Sequence, residues 1–509
     1  MTAFLVRSRM LLTRPLDEDR WEAIEGGGVL VEDGLIVEVG TFAALAHRLP
    51  HLPVRGSSDD VVTPGLVNAH HHVGLTPFQL GIPDLPLELW AVERIAGRDV
   101  DPYLDTLYSA FELVASGVTT VHHIVDSCEG SLEEMKARID AIVRAYRDVG
   151  MRAAISYGIA DQNHFVHEAN ETFFSRLPAD IAHALRGMLD RTGVQLDGGL
   201  ELFETLSGEH RGGDRIAVQL APANLHWCSD RALSAIADAS ARHDAPVHMH
   251  LLETPFQRDY ALQRRGATAF RYLDRFGLHN PRLTIGHGVW LAGSEIDAVA
   301  ECGASVCVNC SSNLRLRSGR APLLSLAARK LNLAIGIDEA GINDDRDMLQ
   351  EMRVVRATSA EPGVSGGALS PGRVLTMATV GGARTTAFAD RIGTIETDRR
   401  ADMVFFHWPR IADPYLDPAQ PVDAAIVHRA KASAVRAVIC NGRTIFENGI
   451  FADVDREAAL HELAARLDRD PTREEIMRRE VTRRLMPYIH RFYGFAADTP
   501  SSTDATDTH

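Results

Sequence analysis

Eight short runs of apolar or β-branched residues, separated by longer segments, occupy the stretch between residues 61 and 338. Strands that alternate with helices indicate parallel βα units, and several of the longer segments have a helical pattern. Eight such units predict an α/β fold, a TIM (β/α)8 barrel. The runs are VVTPGLVNAH, GVTTVHHI, MRAAISYGI, RIAVQLAP, APVHMH, RLTIGH, ASVCVN and NLAIGID.

The chain on either side of the barrel, at residues 1–60 and 386–454, is rich in strand patterns. Two alternating runs around Asp33-Gly34 indicate a hairpin. We expect both parts to form one small β-sandwich into which the barrel, residues 61–385, is inserted. Residues 455–495 are charged and have a helical pattern, which predicts a C-terminal helical extension. The polar tail 496–509 is expected to be disordered.

The bulk composition excludes some classes of function. The net charge is −16, from 53 basic and 69 acidic residues, which argues against binding to nucleic acid or to an anionic membrane. No apolar run reaches about 18 residues, so no membrane span is expected. The N-terminus lacks the pattern of a signal peptide, and the six cysteines are scattered. These features predict reduced thiols and a cytoplasmic location.

Three consecutive histidines end the first run, in the segment TPGLVNAHHH at residues 63–72. Side chains alternate between the two faces of a strand, so His70 and His72 would share a face and His71 would point the other way. A pair of histidines at this spacing could bind a metal, or it could be the polar end of a surface strand. The pair alone does not separate these two interpretations.

Similar residues end other runs of the predicted barrel. The fifth run ends VHMHLLE, which brings His248 and His250 to one face and Glu253 just beyond the strand. His287 ends the sixth run, and Asp338 ends the eighth. Charged groups after apolar runs are costly unless they are paired or bind metal, and barrel chemistry lies at these strand ends. We therefore expect one site there, with His248 one layer deeper as a supporting residue.

Three imidazoles and one carboxylate suit one divalent metal ion. Zinc is the first choice for such a donor set, and iron or manganese are the alternatives. The metal would lower the pKa of a bound water towards about 7 and generate hydroxide. A nearby carboxylate could accept the proton of that water and later deliver a proton to a leaving nitrogen.

Five segments of the sequence resemble motifs of the amidohydrolase superfamily, in particular its branch of cytosine deaminases and triazine hydrolases. The resemblance covers nearly the whole chain and implies the barrel-and-sandwich fold. The segments are PGLVNAHHH, SGVTTVHH, HLLE, SSNLRL and IGTIETDRRADMVFF.

The resemblance also implies roles for individual residues. Glu253 would shuttle protons, and His287 would contact the substrate or the attacking water. The fourth run, RIAVQLAPANLHW, has no lysine of the kind that bridges two metals in binuclear relatives, which favours a mononuclear site. Asp338 would hold the attacking water as well as the metal. The implied ligands of that metal are His70, His72, His250 and Asp338.

Two departures from the family pattern lie where the substrate is read. Asn309 stands in the segment VNC, where relatives often have a histidine, and Glu339 follows Asp338, where a small residue is common. The segment LTPFQLGIPDLPLELW, residues 75–90, could be an apolar lid or simply a packed loop. These features leave the identity of the substrate open.

The function that this pattern favours is hydrolysis of a C–N bond in a small molecule by metal-bound hydroxide. Deamination of an N-heteroaromatic amine is the first choice, and hydrolysis of an amide, urea or carbamate is the alternative. A remote third hypothesis is a catalytically inactive amidohydrolase fold that acts as a scaffold. We expect a homodimer or higher homo-oligomer. The extension could pack at a dimer interface, over a neighbouring active site or as a cap on its own chain.

Overall fold

The structure is a computed structural model that describes residues 3–126, 130–191 and 196–495. The tail 496–509, for which disorder is predicted, lies outside the described residues. The strands of the described residues are β1 (Ala3–Arg7), β2 (Met10–Pro15), β3 (Trp21–Glu25), β4 (Gly27–Glu32), β5 (Leu35–Thr41), β6 (Val54–Gly56), β7 (Asp60–Pro64), β8 (Leu66–His71), β9 (Val118–Val125), β10 (Arg152–Ile159), β11 (Ile216–Val218), β12 (Ala221–Pro222), β13 (Val247–Leu251), β14 (Leu283–His287), β15 (Ser305–Val308), β16 (Asn332–Ile335), β17 (Met403–His407), β18 (Val435–Cys440), β19 (Arg443–Glu447) and β20 (Ile450–Phe451).

Helices follow most of the strands between residues 72 and 385. Among the described helices, none is both long and apolar enough to cross a membrane. The helices are α1 (Phe42–Arg48), α2 (Leu87–Glu93), α3 (Pro102–Ala115), α4 (Leu132–Val149), α5 (Asn170–Phe174), α6 (Ala179–Arg191), α7 (Leu196–Glu209), α8 (Asp230–His243), α9 (Pro255–Arg265), α10 (Ala269–Asp274), α11 (Ser294–Cys302), α12 (Cys310–Arg315), α13 (Leu323–Ala328), α14 (Met348–Thr358), α15 (Pro371–Thr376), α16 (Gly382–Arg384), α17 (Trp408–Ala412), α18 (Val422–Arg429), α19 (Arg456–Leu467) and α20 (Arg473–Tyr493).

The predicted TIM barrel is confirmed. Strands β8 to β11 form one parallel group and β13 to β16 form a second, with β12 continuing β11 along β10. Parallel bridges between Leu220 and Val247, and between His71 and Asp338, join the two groups on both sides. The barrel therefore closes in sequence order, and the C-terminal ends of all eight strands meet at one face.

Two further sheets combine strands from both ends of the chain. One has the order β5-β4-β1-β6, and the other has the order β20-β19-β18-β17-β7-β2-β3. Their facing side chains form one apolar cluster, with Val29 and Val31 from the first sheet and Leu11, Met403 and Phe405 from the second. This arrangement is the expected small β-sandwich.

The prediction that the first run forms one barrel strand was wrong. The run contains two strands, because β7 pairs with β17 in the sandwich while β8 pairs with β9 in the barrel. Both strands are fully buried, so apolar character alone could not separate them. Strand β7 also straddles the boundary expected between residues 60 and 61. The domain boundaries stay predictions.

The C-terminal extension packs on the barrel of its own chain. The side chains of Thr472 and Glu475 form a reciprocal cap at the N-terminus of α20, and Gly494 caps its C-terminus. Its buried residues Leu485 and Ile489 share an apolar cluster with residues of α2, α5 and α6. Helix α20 thus covers the C-terminal face of the barrel, which is the position that the cap alternative predicts.

Candidate active site

The structure brings all six predicted site residues to one end of the barrel, where all but His70 line a cavity of about 230 Å³. Five of them have less than a tenth of their surface exposed, and the sixth, His250, is partly buried. All of them lie within a strand or up to three residues beyond it, so the barrel backbone sets their positions. The residues are His70, His72, His250, Glu253, His287 and Asp338.

Hydrogen bonds at Nδ1 orient the three histidines that are the predicted ligands. His72 and His250 each donate from Nδ1 to a backbone carbonyl oxygen at 2.9 Å. Nδ1 of His70 lies 2.8 Å from Nε2 of His248, the histidine expected one layer deeper. With a proton on Nδ1, each ligand histidine turns an unprotonated Nε2 towards the same point.

The donor atoms have the spacing that a metal ion requires. Nε2 of His72 lies 3.0 Å from Nε2 of His70 and 3.1 Å from Nε2 of His250. Oδ1 of Asp338 lies 3.5 Å from Nε2 of His70 and 3.4 Å from Nε2 of His72. Ligands about 2.0–2.1 Å from a tetrahedral zinc ion would be about 3.3 Å apart. The residues present therefore fit a divalent metal, since three nitrogens and one carboxylate oxygen converge at these separations.

The electrostatics of the site also favour a cation. Burial lowers the pKa values of His70 and His250, so both are held in the neutral form that binds metal. Burial also opposes the charged form of His72, but contact with Asp126 raises its pKa to about 9. Two carboxylates, the partly buried Asp126 and the buried Asp338, therefore stabilise added positive charge at this point.

His287 presents an N–H group to the cavity. Its Nδ1 accepts a hydrogen bond from Nδ2 of Asn313 at 2.9 Å, which places the proton on Nε2. That Nε2 lies 3.6 Å from Oε2 of Glu253 and 3.8 Å from Oδ2 of Asp338. Burial lowers the pKa of His287 to about 3, so the ring is a neutral donor. Asn313 lies in the motif SSNLRL, and sequence reasoning assigned it no role.

Glu253 is a buried carboxyl group beside the predicted ligands. Burial, and then the charge of Asp338, raise the pKa of Glu253 well above its ordinary value. Oγ of Ser318 donates to Oε1 of Glu253 at 3.2 Å. The backbone N–H of Glu253 donates to Oε1 of Gln257 at 2.8 Å. Glu253 can therefore hold a proton near neutral pH at a fixed place in the cavity.

Three residues at the site have a left-handed backbone that few side chains adopt. The φ angles are 55° at Leu252, 72° at His287 and 65° at Asp338. Such conformations cost free energy and persist only where the surrounding structure imposes them. At Asp338 the backbone N–H donates to the carbonyl oxygen of His70 at 2.8 Å, which fixes the carboxylate beside that histidine.

Sequence reasoning missed Arg94 and Asp126, two charged residues in the cavity wall beside Glu339, which it had noted as a departure from the family pattern. Arg94, which follows α2, contacts Asp126 and also Glu339, the latter at 2.9 Å between Nη1 and Oε1. Burial raises the pKa of Glu339 to about 7, and the positive charge of Arg94 works against this rise. An acidic residue directly after the apolar second run was the available signal for Asp126. Arg94 lies in a loop without a pattern that could have identified it.

Aromatic and apolar side chains form the rest of the cavity wall. Leu87 and Trp90 come from α2, Trp227 follows β12, and Tyr493 is the last residue of α20. The segment 75–90 therefore divides into two parts, because Phe78 is 61% exposed while Leu87 and Trp90 reach the cavity. The C-terminal extension therefore supplies part of the cavity wall, through Tyr493.

Comparisons with known proteins agree with this fold. A model of the amidohydrolase family matches residues 61–445, and one described as an imidazolonepropionase-like composite domain of bacteria matches residues 27–51. A 5-methylthioadenosine/S-adenosylhomocysteine deaminase of Thermodesulfovibrio yellowstonii is 28% identical over 90% of this chain and 96% of its own.

Two solved structures are similar over almost their whole length. An adenosine deaminase of Xanthomonas campestris with bound zinc has a TM-score of 0.77 and 25% identity, covering 91% of this chain and 98% of its own. A triazine hydrolase of Arthobacter aurescens has a TM-score of 0.78 and 20% identity, covering 92% and 100%, which is a likeness of fold alone. The resemblance found in the sequence motifs is confirmed: the chain belongs to the amidohydrolase family.

Proposed function

We propose that this protein is a mononuclear metal-dependent hydrolase that deaminates an N-heteroaromatic amine. The observation that carries the proposal is the convergence of three histidine Nε2 atoms and one carboxylate oxygen, with separations of 3.0–3.5 Å, next to a buried carboxyl group. The deaminase relatives support a ring carbon that carries an amino group as the point of attack, with ammonia as the leaving group. The residues that would hold the metal are His70, His72, His250 and Asp338.

A bound divalent metal lowers the pKa of water and so supplies a nucleophile near neutral pH. Oδ2 of Asp338, which accepts a hydrogen bond from Oγ of Ser312 at 2.6 Å, is placed to orient that water. The raised pKa of Glu253 lets it carry a proton to a ring nitrogen and then to the departing amine. His287 donates from Nε2 to negative charge that develops on the substrate.

The shape of the cavity favours a flat ring. Trp90, Trp227 and Tyr493 offer aromatic faces, and Gly158 and Ala223 line the cavity with little side-chain volume. A planar heteroaromatic substrate can stack on such walls while its edge faces the metal ligands.

We further propose zinc as the resident metal, because three imidazoles and a carboxylate suit it and the adenosine deaminase above contains it. The described cysteines are all free, which supports the proposal of a reducing, cytoplasmic location. For a homodimer, the support is the exposed pair Ile476 and Met477 on the outer face of α20. Light scattering of the full chain tests the last point, and a monomer mass would refute it.

Product analysis on zinc-loaded protein tests the function. The panel contains amino-purines, amino-pyrimidines and amino-triazines beside N-aryl amides and ureas, and mass spectrometry identifies the products. Exchange of an amino group for a hydroxyl, with ammonia released, is the expected result. Cleavage into an amine and an acid would instead establish the amide or urea alternative.

The variant Glu253→Gln is the matched control for this assay. It keeps the shape of the side chain and removes its proton transfer, so zinc content should be unchanged while turnover falls by about 10²–10⁴-fold. Loss of zinc from this variant would contradict the role assigned to Glu253.

A further inference from the structure

Arg94 connects two carboxylates that follow different barrel strands. It lies in the short 3₁₀ turn Arg94–Ala96 after α2. One Nη atom contacts Oδ2 of Asp126, and the other lies 2.9 Å from Oε1 of Glu339. The planar guanidinium can hold both partners at once, which a single ammonium group cannot do with the same geometry.

Asp126 also contacts a predicted metal ligand. Its Oδ1 is in contact with Nδ1 of His72. The other ring nitrogen, Nε2, faces the donor cluster, by which we mean the predicted ligand atoms of His70, His72, His250 and Asp338. A carboxylate on the far nitrogen of a ligand histidine fixes the orientation of the ring and raises its basicity. The series Arg94, Asp126 and His72 is therefore a continuous set of polar contacts that ends at the donor cluster.

The C-terminal extension holds the turn that carries Arg94. Nη2 of Arg478 donates to the carbonyl oxygen of Gly97 at 3.1 Å and to Oδ1 of Asp99 at 2.6 Å. Oε1 of Glu475 accepts from the backbone N–H of Asp99 at 3.0 Å. Helix α20 thus fixes the backbone three to five residues beyond Arg94, while its apolar face packs on α2 just before it.

We propose that Arg94 is a positioning residue for the metal site. It orients Asp126 on His72 and so increases metal affinity, and α20 holds Arg94 in place. The inference rests on the proposed function, because it requires a metal at His70, His72, His250 and Asp338. It gives the extension a role in the site that is separate from the cavity wall made by Tyr493.

Zinc affinity without substrate tests the role of Arg94. Metal-free protein is titrated with zinc against a chromogenic chelator, with Arg94→Gln compared with Arg315→Gln. Arg315 is the matched control, because it bridges Asp84 at 3.0 Å and Asp344 at 2.8 Å, carboxylates that pair with no histidine among the described residues. Arg94→Gln should weaken zinc binding about 10–100-fold, and Arg315→Gln should leave it unchanged.

A second pair of variants tests the contribution of α20. Arg478→Gln removes the contacts with Gly97 and Asp99 and should weaken zinc binding by a smaller factor. Its control is Arg483→Gln on the same helix, since Arg483 is 72% exposed and pairs with Glu480 one turn away.

A further variant, Arg94→Lys, keeps the positive charge but not the planar guanidinium group that contacts two carboxylates, and it should give an intermediate zinc affinity.

Distinct results would overturn the proposal. Arg94→Gln with wild-type zinc affinity and a raised KM would make Arg94 a substrate-binding residue alone. Equal losses in Arg94→Gln and Arg315→Gln, with lowered unfolding midpoints in both, would mean a general structural effect. Wild-type protein that binds no zinc and deaminates nothing would instead refute the proposed function itself.

Discussion

Substitution of Gly336 by alanine tests whether the position of His70 is as tightly determined as the structure implies. Gly336 directly follows β16, and its φ angle is one that alanine can adopt. A Cβ atom there would lie 2.4 Å from Cβ of His70 and 2.4 Å from Oδ1 of Asn309. Because nonbonded carbon atoms are comfortable at about 3.5 Å or more, one side must move by about 1 Å.

That displacement acts on a predicted metal ligand. A misplacement of about 1 Å in a catalytic site can cost about 10²-fold in rate, so we expect a kcat loss of this order together with weaker zinc binding. Overpacking of the barrel end should also destabilise the fold by about 1–3 kcal/mol. Chelator competition, steady-state kinetics and denaturant unfolding measure the three effects.

Gly208→Ala is the matched control for this substitution. Gly208 is exposed in α7, and a Cβ there would meet nothing within 4 Å, so alanine should stabilise the helix by up to about 1 kcal/mol and leave kinetics unchanged. Wild-type zinc affinity and kcat in Gly336→Ala would refute the reasoning. Such a result would mean that the strands around His70 relax at no cost to the site.

Three further predictions concern the metal, one buried ion pair and one ion pair with an exposed arginine. Prolonged dialysis against a chelator should abolish turnover and lower the unfolding midpoint, and zinc alone should restore both, because a ligand that binds the native state stabilises it. Asp402→Asn should cost about 3–5 kcal/mol in denaturant unfolding, since it leaves the fully buried Arg152 without its ion-pair partner. The hydrogen bonds of Arg469 lower the pKa of Glu475 from its ordinary value of 4.5. This pair therefore stabilises the docked extension at pH values above 4.5, and its contribution to stability is lost as the pH falls below 4.5. The protection factor of α20 in hydrogen exchange, which corrects for the pH dependence of the intrinsic exchange rate, should therefore fall in acid, and Glu475→Gln should remove that fall.

The barrel could be predicted from sequence because its strands are buried on both faces. Such strands appear as continuous apolar runs, and all eight runs contain a barrel strand. The same property caused the error at the first run. Strands β7 and β8 are equally buried, so their division between sandwich and barrel depends on pairing with β17 and β9, which lie far apart in sequence.

The donor cluster was predictable for a related reason. Alternation along a strand puts His70 and His72 on one face, and closure of a parallel barrel brings the ends of β8, β13 and β16 together. Sequence could not supply the orientation of the rings. That orientation depends on partners such as His248, which meets His70 across the barrel, and Asn313, which donates to His287.

The cavity wall has a different physical origin from the donor cluster. Arg94 and Trp90 lie in a long segment after β8 whose conformation depends on α20, and α20 begins almost 400 residues later. Strand ends can therefore keep the histidines in place while the covering segments change shape. In the proposed function the ligands hold the metal and the wall contacts the ring, so relatives that keep the four ligands and differ at Trp90, Glu339 or Tyr493 should share the chemistry and differ in substrate.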